Sequence, residues 1–296
     1  MTAEHARLPR LGLVLLILLA LGWGLSWPIM KIVLRDIPPL TFRGSCLLLG
    51  GLGLLLIVRL GGQPWRLPPD VLGRLLLLTA ANIVGWNVLM VYGVGLMPSG
   101  RAALLGYTMP LWSIAFSVWL LGERLTPRRL LGLALGLAGV AALMGSYRGQ
   151  LAAAPAGLLL MLGAAMSWGL GVALLKKYPL GMSATLLTAW MLLIGALPVC
   201  LAAVALEAGQ WRPVGFWPGF GWVYNVLIAF MFCYWAWNRI VLMVPVAVSS
   251  LGSLAVPLVG VIGGMLILGE RPGWNEYLGA ALILGALASV LLPQRK

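Results

Sequence analysis

The side chains best suited to binding a solute lie inside long apolar stretches of the sequence. One helical face is formed by four residues at the spacing i, i+3, i+4 and i+7, namely Trp23, Ser26, Trp27 and Met30. Pro28 lies within this stretch, where it removes a backbone donor and allows a kink. Tryptophans of membrane helices normally gather at the interfaces, whereas these lie near the centre of an apolar run. They either fill space between helices or line a cavity.

Amides and phenols recur beside aromatic groups in other apolar stretches. Asn82 and Trp86 are four residues apart with Met90 one turn further on, and Tyr234 and Asn238 repeat that spacing. Such polar groups either join helices or line a solute pathway, because an unpartnered amide is costly inside a membrane. The predicted substrate-binding set is Trp23, Ser26, Trp27, Asn82, Trp86, Met90, Tyr107, Trp168, Tyr234, Asn238 and Ser253.

Acidic residues are few, and each falls in a tail, a loop or the end of an apolar run. They are Glu4, Asp36, Asp70, Glu123, Glu207, Glu270 and Glu276, and the single histidine is His5. The sequence therefore offers no relay for proton coupling and no positioned base, metal cluster or phosphate-binding loop. We predict a facilitative process, no enzymatic activity and no cofactor or metal.

Composition places the chain in a lipid bilayer. It is 61% hydrophobic and only 9% charged over 296 residues, too little polar surface for a soluble protein of this size. The net charge is +13, but the basic residues are scattered singly or in pairs, which argues against a nucleic-acid partner. Runs of about 20 apolar residues predict ten spanning helices, at 11–34, 39–60, 71–95, 99–121, 127–146, 156–175, 183–206, 217–238, 246–268 and 274–293.

The sequence contains an internal duplication. Its clearest trace is a set of matched positions separated by 147 residues (98 to 245, 110 to 257, 123 to 270), and Trp23-Gly24-Leu25 returns at 168–170 after 145. We predict one five-helix repeat at 1–148 and a second at 149–296. Most Lys and Arg residues fall on one side if both termini are cytoplasmic. Because five is odd, the second repeat would be inverted, an architecture from which alternating access is commonly built.

Four basic residues lie near the ends of predicted spans. They are Lys31, Arg43, Arg101 and Lys176. Each either extends its charge to the membrane interface or guides a carboxylate along the pathway. The doubled Gly-Glu-Arg turns at 122–124 and 269–271 are predicted to place their carboxylates near backbone donors of the following helix.

The duplicated pattern resembles the EamA-type branch of the drug/metabolite transporter superfamily. The resemblance is carried by Leu-Gly-Glu-Arg at 121–124 and 268–271, each followed by Leu-Gly-x-x-Leu, and by the Trp237-Asn238-Arg239 pattern. Within the superfamily, Trp23, Trp168 and the segment 234–238 are most similar to the YddG-type exporters of aromatic amino acids. The resemblance implies a multi-pass protein of the bacterial inner membrane that exports aromatic and other neutral amino acids.

Several other functions remain open at the level of sequence. The same fold could export nucleobase-like or sugar metabolites, or drugs. A lipid-modifying enzyme, a structural assembly protein and a passive channel are rivals from other classes. We expect the lipid bilayer and a small-molecule substrate as partners, with the chain acting as a monomer or a weak homodimer.

Overall fold

The protein is helical throughout the part that its computed structural model describes, residues 10–122, 127–145, 155–236 and 255–291. The α-helices are α1 (Arg10–Val33), α2 (Pro39–Leu60), α3 (Leu72–Thr79), α4 (Trp86–Gly95), α5 (Ser99–Gly106), α6 (Met109–Leu121), α7 (Pro127–Gly145), α8 (Pro155–Lys177), α9 (Ala184–Glu207), α10 (Phe216–Tyr224), α11 (Ala255–Leu268) and α12 (Trp274–Leu291). Short 3-10 turns occur at Pro69–Val71 and Ala208–Gln210. These four ranges contain no β-strand.

Seven helical stretches of the described chain are long and apolar enough to cross a membrane. They are Val14–Val33, Pro39–Leu60, Pro69–Gly95, Ser99–Leu121, Ala156–Leu175, Ala184–Gln210 and Phe216–Ala236. Helix is the expected form because it satisfies every backbone group internally where no water is present. The predicted break at residues 96–98 is confirmed, since α4 ends at Gly95 and α5 begins at Ser99. The predicted break at 239–246 lies outside the described residues, and the total of ten spans stays a prediction.

Two spans contain a segment of π-helix at corresponding places in the duplicated sequence. The first π segment (Ala80–Gly85) joins α3 to α4, and the second π segment (Asn225–Phe232) joins α10 to a helical turn at 233–236. Their first residues are separated by 145 positions (80 to 225), as are Trp23 and Trp168. A π segment changes which side chains share a helical face and is frequent at functional sites.

Helix packing follows the duplication. α1 packs against α11 and the second π segment, while α8 packs against α6 and the first π segment. The same correspondence appears at single residues: a Cβ added to Gly24 would lie 2.5 Å from Val259, and one added to Gly169 would lie 2.8 Å from Trp112. These glycines are 145 positions apart and their partners 147. Corresponding elements of the two halves therefore make corresponding contacts.

The helices α2 and α9 pack against each other and run antiparallel. A Cβ on Gly44 would lie 2.8 Å from Cys200 Sγ, and one on Gly51 would lie 2.8 Å from Leu193 Cγ. From Gly44 to Gly51 the residue number on α2 rises by seven, while the number of the contacting residue on α9 falls by seven. The two helices therefore run in opposite directions. Both helices occupy the second-span position of their predicted repeats, which is the arrangement expected if one repeat is inverted.

Candidate functional site

A cavity of about 80 Å³ lies between the two halves, near the middle of the spans. Its walls are formed by α1, α2, α4, α8, the α5–α6 junction and the second π segment with the turn that follows it. The lining residues are Trp23, Ser26, Trp27, Met30, Arg43, Trp86, Asn87, Met90, Tyr107, Met109, Trp168, Asn225, Ala229, Phe230 and Tyr234. Eight of these belong to the predicted set of eleven, and those eight come together from five separate parts of the chain.

Two edge-to-face aromatic pairs form opposite parts of the cavity wall. Trp23 meets Tyr234 with ring centroids 5.6 Å apart and an interplanar angle of 82°, and Trp86 meets Trp168 at 5.3 Å and 65°. Each pair joins one ring from the first half to one from the second. Trp23 also donates its indole N–H to the Ala229 carbonyl at 2.9 Å. Such pairs contribute roughly 0.5–1.5 kcal/mol beyond area burial, so they hold the two halves together at the cavity.

Arg43 is the cationic residue of the described lining. Its side chain is buried, with 3% of the residue exposed, and its guanidinium lies 5.0 Å from the Phe42 ring centroid and 5.5 Å from that of Phe230. A guanidinium nitrogen (Nη2) contacts the sulfurs of Met30 at 2.8 Å and Met90 at 3.2 Å. Methionine sulfur is a weak acceptor. Aromatic faces and thioethers therefore surround a charge for which the described chain supplies no carboxylate.

Two buried asparagines border the cavity beside the π segments. Asn87 donates to the Ile83 carbonyl and Asn225 to the Gly221 carbonyl, each at 2.9 Å and each four residues back on its own helix. The Asn225 Oδ1 atom is buried without a hydrogen-bond partner among the described residues. Neither asparagine belongs to the predicted substrate-binding set.

Asn82 does not line the cavity, contrary to the expectation from its spacing to Trp86. It donates to the Trp168 carbonyl at 3.4 Å, and its Cβ would lie 2.5 Å from a Cβ added at Gly171. Asn82 lies within the first π segment, so its relation to Trp86 is not the regular i, i+4 one. Asn82 thus joins two helices, and Asn87 takes a place on the cavity wall.

The remaining predicted site residues fall into two groups. Ser26 lines the cavity but donates its hydroxyl to the Trp23 carbonyl at 2.6 Å, while Tyr107 and Trp27 are 6% and 4% exposed. Tyr107 lies where the fourth span is interrupted, between α5 and α6. The other two predicted residues, Asn238 and Ser253, lie outside the described residues.

Polar contacts join the two halves at one end of the molecule. The Glu270 carboxylate accepts from the Ser99 and Gly100 amides at 2.6 and 3.2 Å, and so caps α5. This corrects the expectation that the turn at 269–271 caps the following helix. Nearby, Lys31 donates to the Met97 carbonyl at 2.7 Å, and Arg101 forms an ion pair with Glu276.

Apolar spans that surround an aromatic cavity with a buried cation are typical of one class of protein, multi-pass membrane proteins that bind a small solute. Comparison with known proteins gives the family. The model of the EamA-like transporter family matches residues 10–145 and again 155–292. The chain belongs to the EamA-like transporter family, within the drug/metabolite transporter superfamily, and carries two copies of its domain.

Several relatives share most of the chain's length. An uncharacterized transporter of Bacillus subtilis, YoaV, is 28% identical over 272 residues, covering 90% of this chain and 92% of the relative. A probable amino-acid metabolite efflux pump of Escherichia coli is 29% identical over 286 residues, covering 93% and 92%. The inner membrane transporter YedA of Escherichia coli, itself uncharacterized, is 28% identical over 277 residues, covering 91% and 87%.

A solved crystal structure supports the fold independently. It superposes with a TM-score of 0.65 at 21% sequence identity and covers 94% of this chain and 95% of its own. At that identity the likeness concerns the fold alone.

Proposed function

We propose that this protein exports neutral amino acids, aromatic ones among them, across the bacterial inner membrane. The single observation that carries the proposal is the cavity between the two halves, lined by Trp23, Trp86, Trp168 and Tyr234. Aromatic faces suit both an apolar side chain and an ammonium group, the latter by about 0.5–2 kcal/mol. The names of two relatives add support, since one is called an amino-acid metabolite efflux pump and another an inner membrane transporter.

Transport is proposed to proceed by alternating access between two inverted repeats, 1–148 and 149–296, with both termini in the cytoplasm. The antiparallel packing of α2 against α9 supports the inversion. The cavity of about 80 Å³ is smaller than the roughly 300 Å³ usual for small-molecule sites. The lining helices must therefore separate to admit cargo, as alternating access requires.

The movement is proposed to be facilitative. The acids described near the cavity ends are engaged elsewhere: Glu207 caps α2 through the Leu40 and Thr41 amides, and Glu270 caps α5. The cavity lining of the described chain holds no acid that could exchange a proton with each cargo molecule. Cargo would then move down its own gradient.

The test is counterflow in proteoliposomes that contain purified protein. Labelled phenylalanine is supplied outside, and unlabelled phenylalanine, leucine, uracil or glucose inside. We expect transient accumulation of label driven by the amino acids, unchanged by a protonophore. No accumulation of labelled phenylalanine, together with counterflow of labelled uracil or labelled glucose against its own unlabelled pool, would move the cargo to other metabolites. Loss of accumulation with the protonophore would contradict the facilitative mechanism, and linear flux without counterflow would indicate a channel.

A further inference from the structure

Arg43 carries a charge for which the described structure supplies no countercharge. Its Nε atom is buried and has no hydrogen-bond partner among the described residues. Among the same residues, the hydrogen bonds of Nη2 go only to two methionine sulfurs. An arginine inside a membrane protein is costly unless it is paired or serves a solute pathway. Arg43 lines the cavity, so the unfilled hydrogen-bonding capacity lies at the proposed site.

The acidic residues of the described chain are either paired with other groups or lie away from the cavity. Asp36 accepts from Arg212 at 3.1 Å, Glu276 pairs with Arg101, and Asp70 is exposed at a helix start. The Glu207 and Glu270 carboxylates cap helices, as described above. None of these five lines the cavity. A carboxylate brought by the cargo would match the planar guanidinium, whose five N–H donors suit two-point binding.

Asn225 supplies the opposite chemistry in the same cavity. Its amide nitrogen is fixed by the Gly221 carbonyl at 2.9 Å, which leaves Oδ1 as a buried acceptor without a partner among the described residues. A donor group and an acceptor, each without a hydrogen-bond partner among the described residues, thus line the same cavity as the aromatic rings. The Arg43 guanidinium is charged, whereas the Asn225 amide oxygen is neutral. A hydrogen bond made by Arg43 is therefore stronger than one accepted by Asn225.

We infer that Arg43 binds the carboxylate of the cargo, that Asn225 accepts from its amino group, and that the carboxylate is the group the cavity recognises most strongly. This inference rests on the proposed function, because it assigns the two ends of an amino acid to that site. It ranks analogues of one cargo: phenylalanine binds best, 3-phenylpropionate next and 2-phenylethylamine least.

Competition in the counterflow assay tests the ranking. In the wild type, 3-phenylpropionate should compete with labelled phenylalanine at least tenfold better than 2-phenylethylamine. Arg43→Gln should remove that difference, and Arg43→Lys should keep part of it, since an ammonium still attracts a carboxylate. Asn225→Ala should weaken competition by phenylalanine and leave that by 3-phenylpropionate unchanged. Arg59→Gln, on the last turn of the same helix α2, is the matched control and should behave as the wild type.

Two results would overturn the inference. One is equal or better competition by 2-phenylethylamine in the wild type, which needs no variant to fold. The other is a preference for the carboxylate that survives in folded Arg43→Gln, which would leave Arg43 as a packing residue over Phe42 and Phe230.

Thermal unfolding separates this inference from the proposed function. If phenylalanine shows no counterflow, the transport proposal fails. The thermal unfolding of the purified wild type is then measured in the presence of each analogue separately. A Tm raised by 3-phenylpropionate but not by 2-phenylethylamine would support carboxylate binding at this site. No rise with 3-phenylpropionate would overturn it.

Discussion

Trp23 and Trp168 occupy the same place in the two halves, and each meets an aromatic ring from the other half. Both rings are half-buried and line the cavity, and each also packs against its aromatic partner. A residue that both packs and faces the cavity contributes to cargo binding and to helix association at once. Substitution effects on the two must therefore be measured separately.

Trp168→Ala should weaken cargo binding more than it weakens the fold. Removing the indole face costs about 0.5–2 kcal/mol of contact with an ammonium or ring, which corresponds to a rise in KM of about two- to thirtyfold. The measurement is the concentration dependence of phenylalanine counterflow, together with the yield of monodisperse protein. Trp119→Ala is the matched control, because that side chain is 74% exposed and does not line the cavity. An unchanged KM in Trp168→Ala would remove this residue from the site.

Three of the predicted residues that line the cavity follow one another on one regular helix. α1 is continuous through Trp23, Ser26 and Trp27, so the i, i+3, i+4 pattern put all of them on the cavity wall. Asn82 was misplaced because the first π segment shifts the face that follows it. Asn87 lies on the regular helix α4, three residues before Met90, so counting turns back from Met90 indicates the same part of the wall.

At the scale of elements, close helix contacts at glycine position the cavity walls. A Cβ at Gly169 would lie 2.7 Å from the Ser113 backbone nitrogen and 2.9 Å from the Trp112 carbonyl carbon. Backbone atoms cannot rotate away as a side chain can, so α6 and α8 would have to separate. Gly169 directly follows Trp168, and that separation would move a cavity tryptophan.

Gly169→Ala should therefore lower both stability and transport. Overpacking of this kind typically costs about 1–3 kcal/mol, and we expect a Tm reduced by several degrees in detergent together with a counterflow rate at least threefold lower. Gly73→Ala is the matched control, because it also lies in a helix and nothing would approach its Cβ within 4 Å. Equal Tm values for the two variants would show that the α6–α8 contact has room to adjust.

The break in the fourth span was only partly predictable. Pro110 marks an irregularity, and the structure ends α5 at Gly106 and begins α6 at Met109, with Tyr107 and Met109 on the cavity. The sequence does not fix which residues leave the helix, because that depends on packing: a Cβ at Gly106 would lie 2.8 Å from the Trp27 ring. The corresponding part of the second half lies outside the described residues.

For the whole molecule, the duplication was readable because matched positions are separated by one of two nearly equal offsets, 145 or 147. The same offsets recur in the contacts, as the pairs Gly24–Val259 and Gly169–Trp112 show. What the sequence could not show is which contacts join the halves at the ends. Glu270 is an example, since it caps a helix of the first half from a turn of the second.

If the halves move against each other, the contacts of Glu270 must break whenever this end opens. Its carboxylate accepts from the Ser99 amide at 2.6 Å, the Ser99 hydroxyl at 3.1 Å and the Gly100 amide at 3.2 Å. Glu270→Gln keeps the shape but removes the charge and replaces one accepting oxygen with an NH2 donor, so one backbone N–H loses its acceptor and the cluster is weakened by roughly 1 kcal/mol or more. The open form should then be populated about fivefold more. Opening is read out at Leu104, which is fully buried on α5 beside this cluster.

The measurement is the rate at which a polar thiol reagent labels Leu104→Cys in detergent, with Cys46, Cys200 and Cys233 replaced by alanine. Labelling should be about fivefold faster with Glu270→Gln, in line with the loss of roughly 1 kcal/mol, and unchanged with Asp70→Asn, whose carboxylate is exposed outside this cluster. Phenylalanine counterflow by the cysteine-replaced protein verifies that it still works. Equal labelling rates in folded Glu270→Gln and its parent would make Glu270 a static helix cap. Faster labelling would identify it as a contact that closes this end between transport steps, because only separation of the halves exposes Leu104.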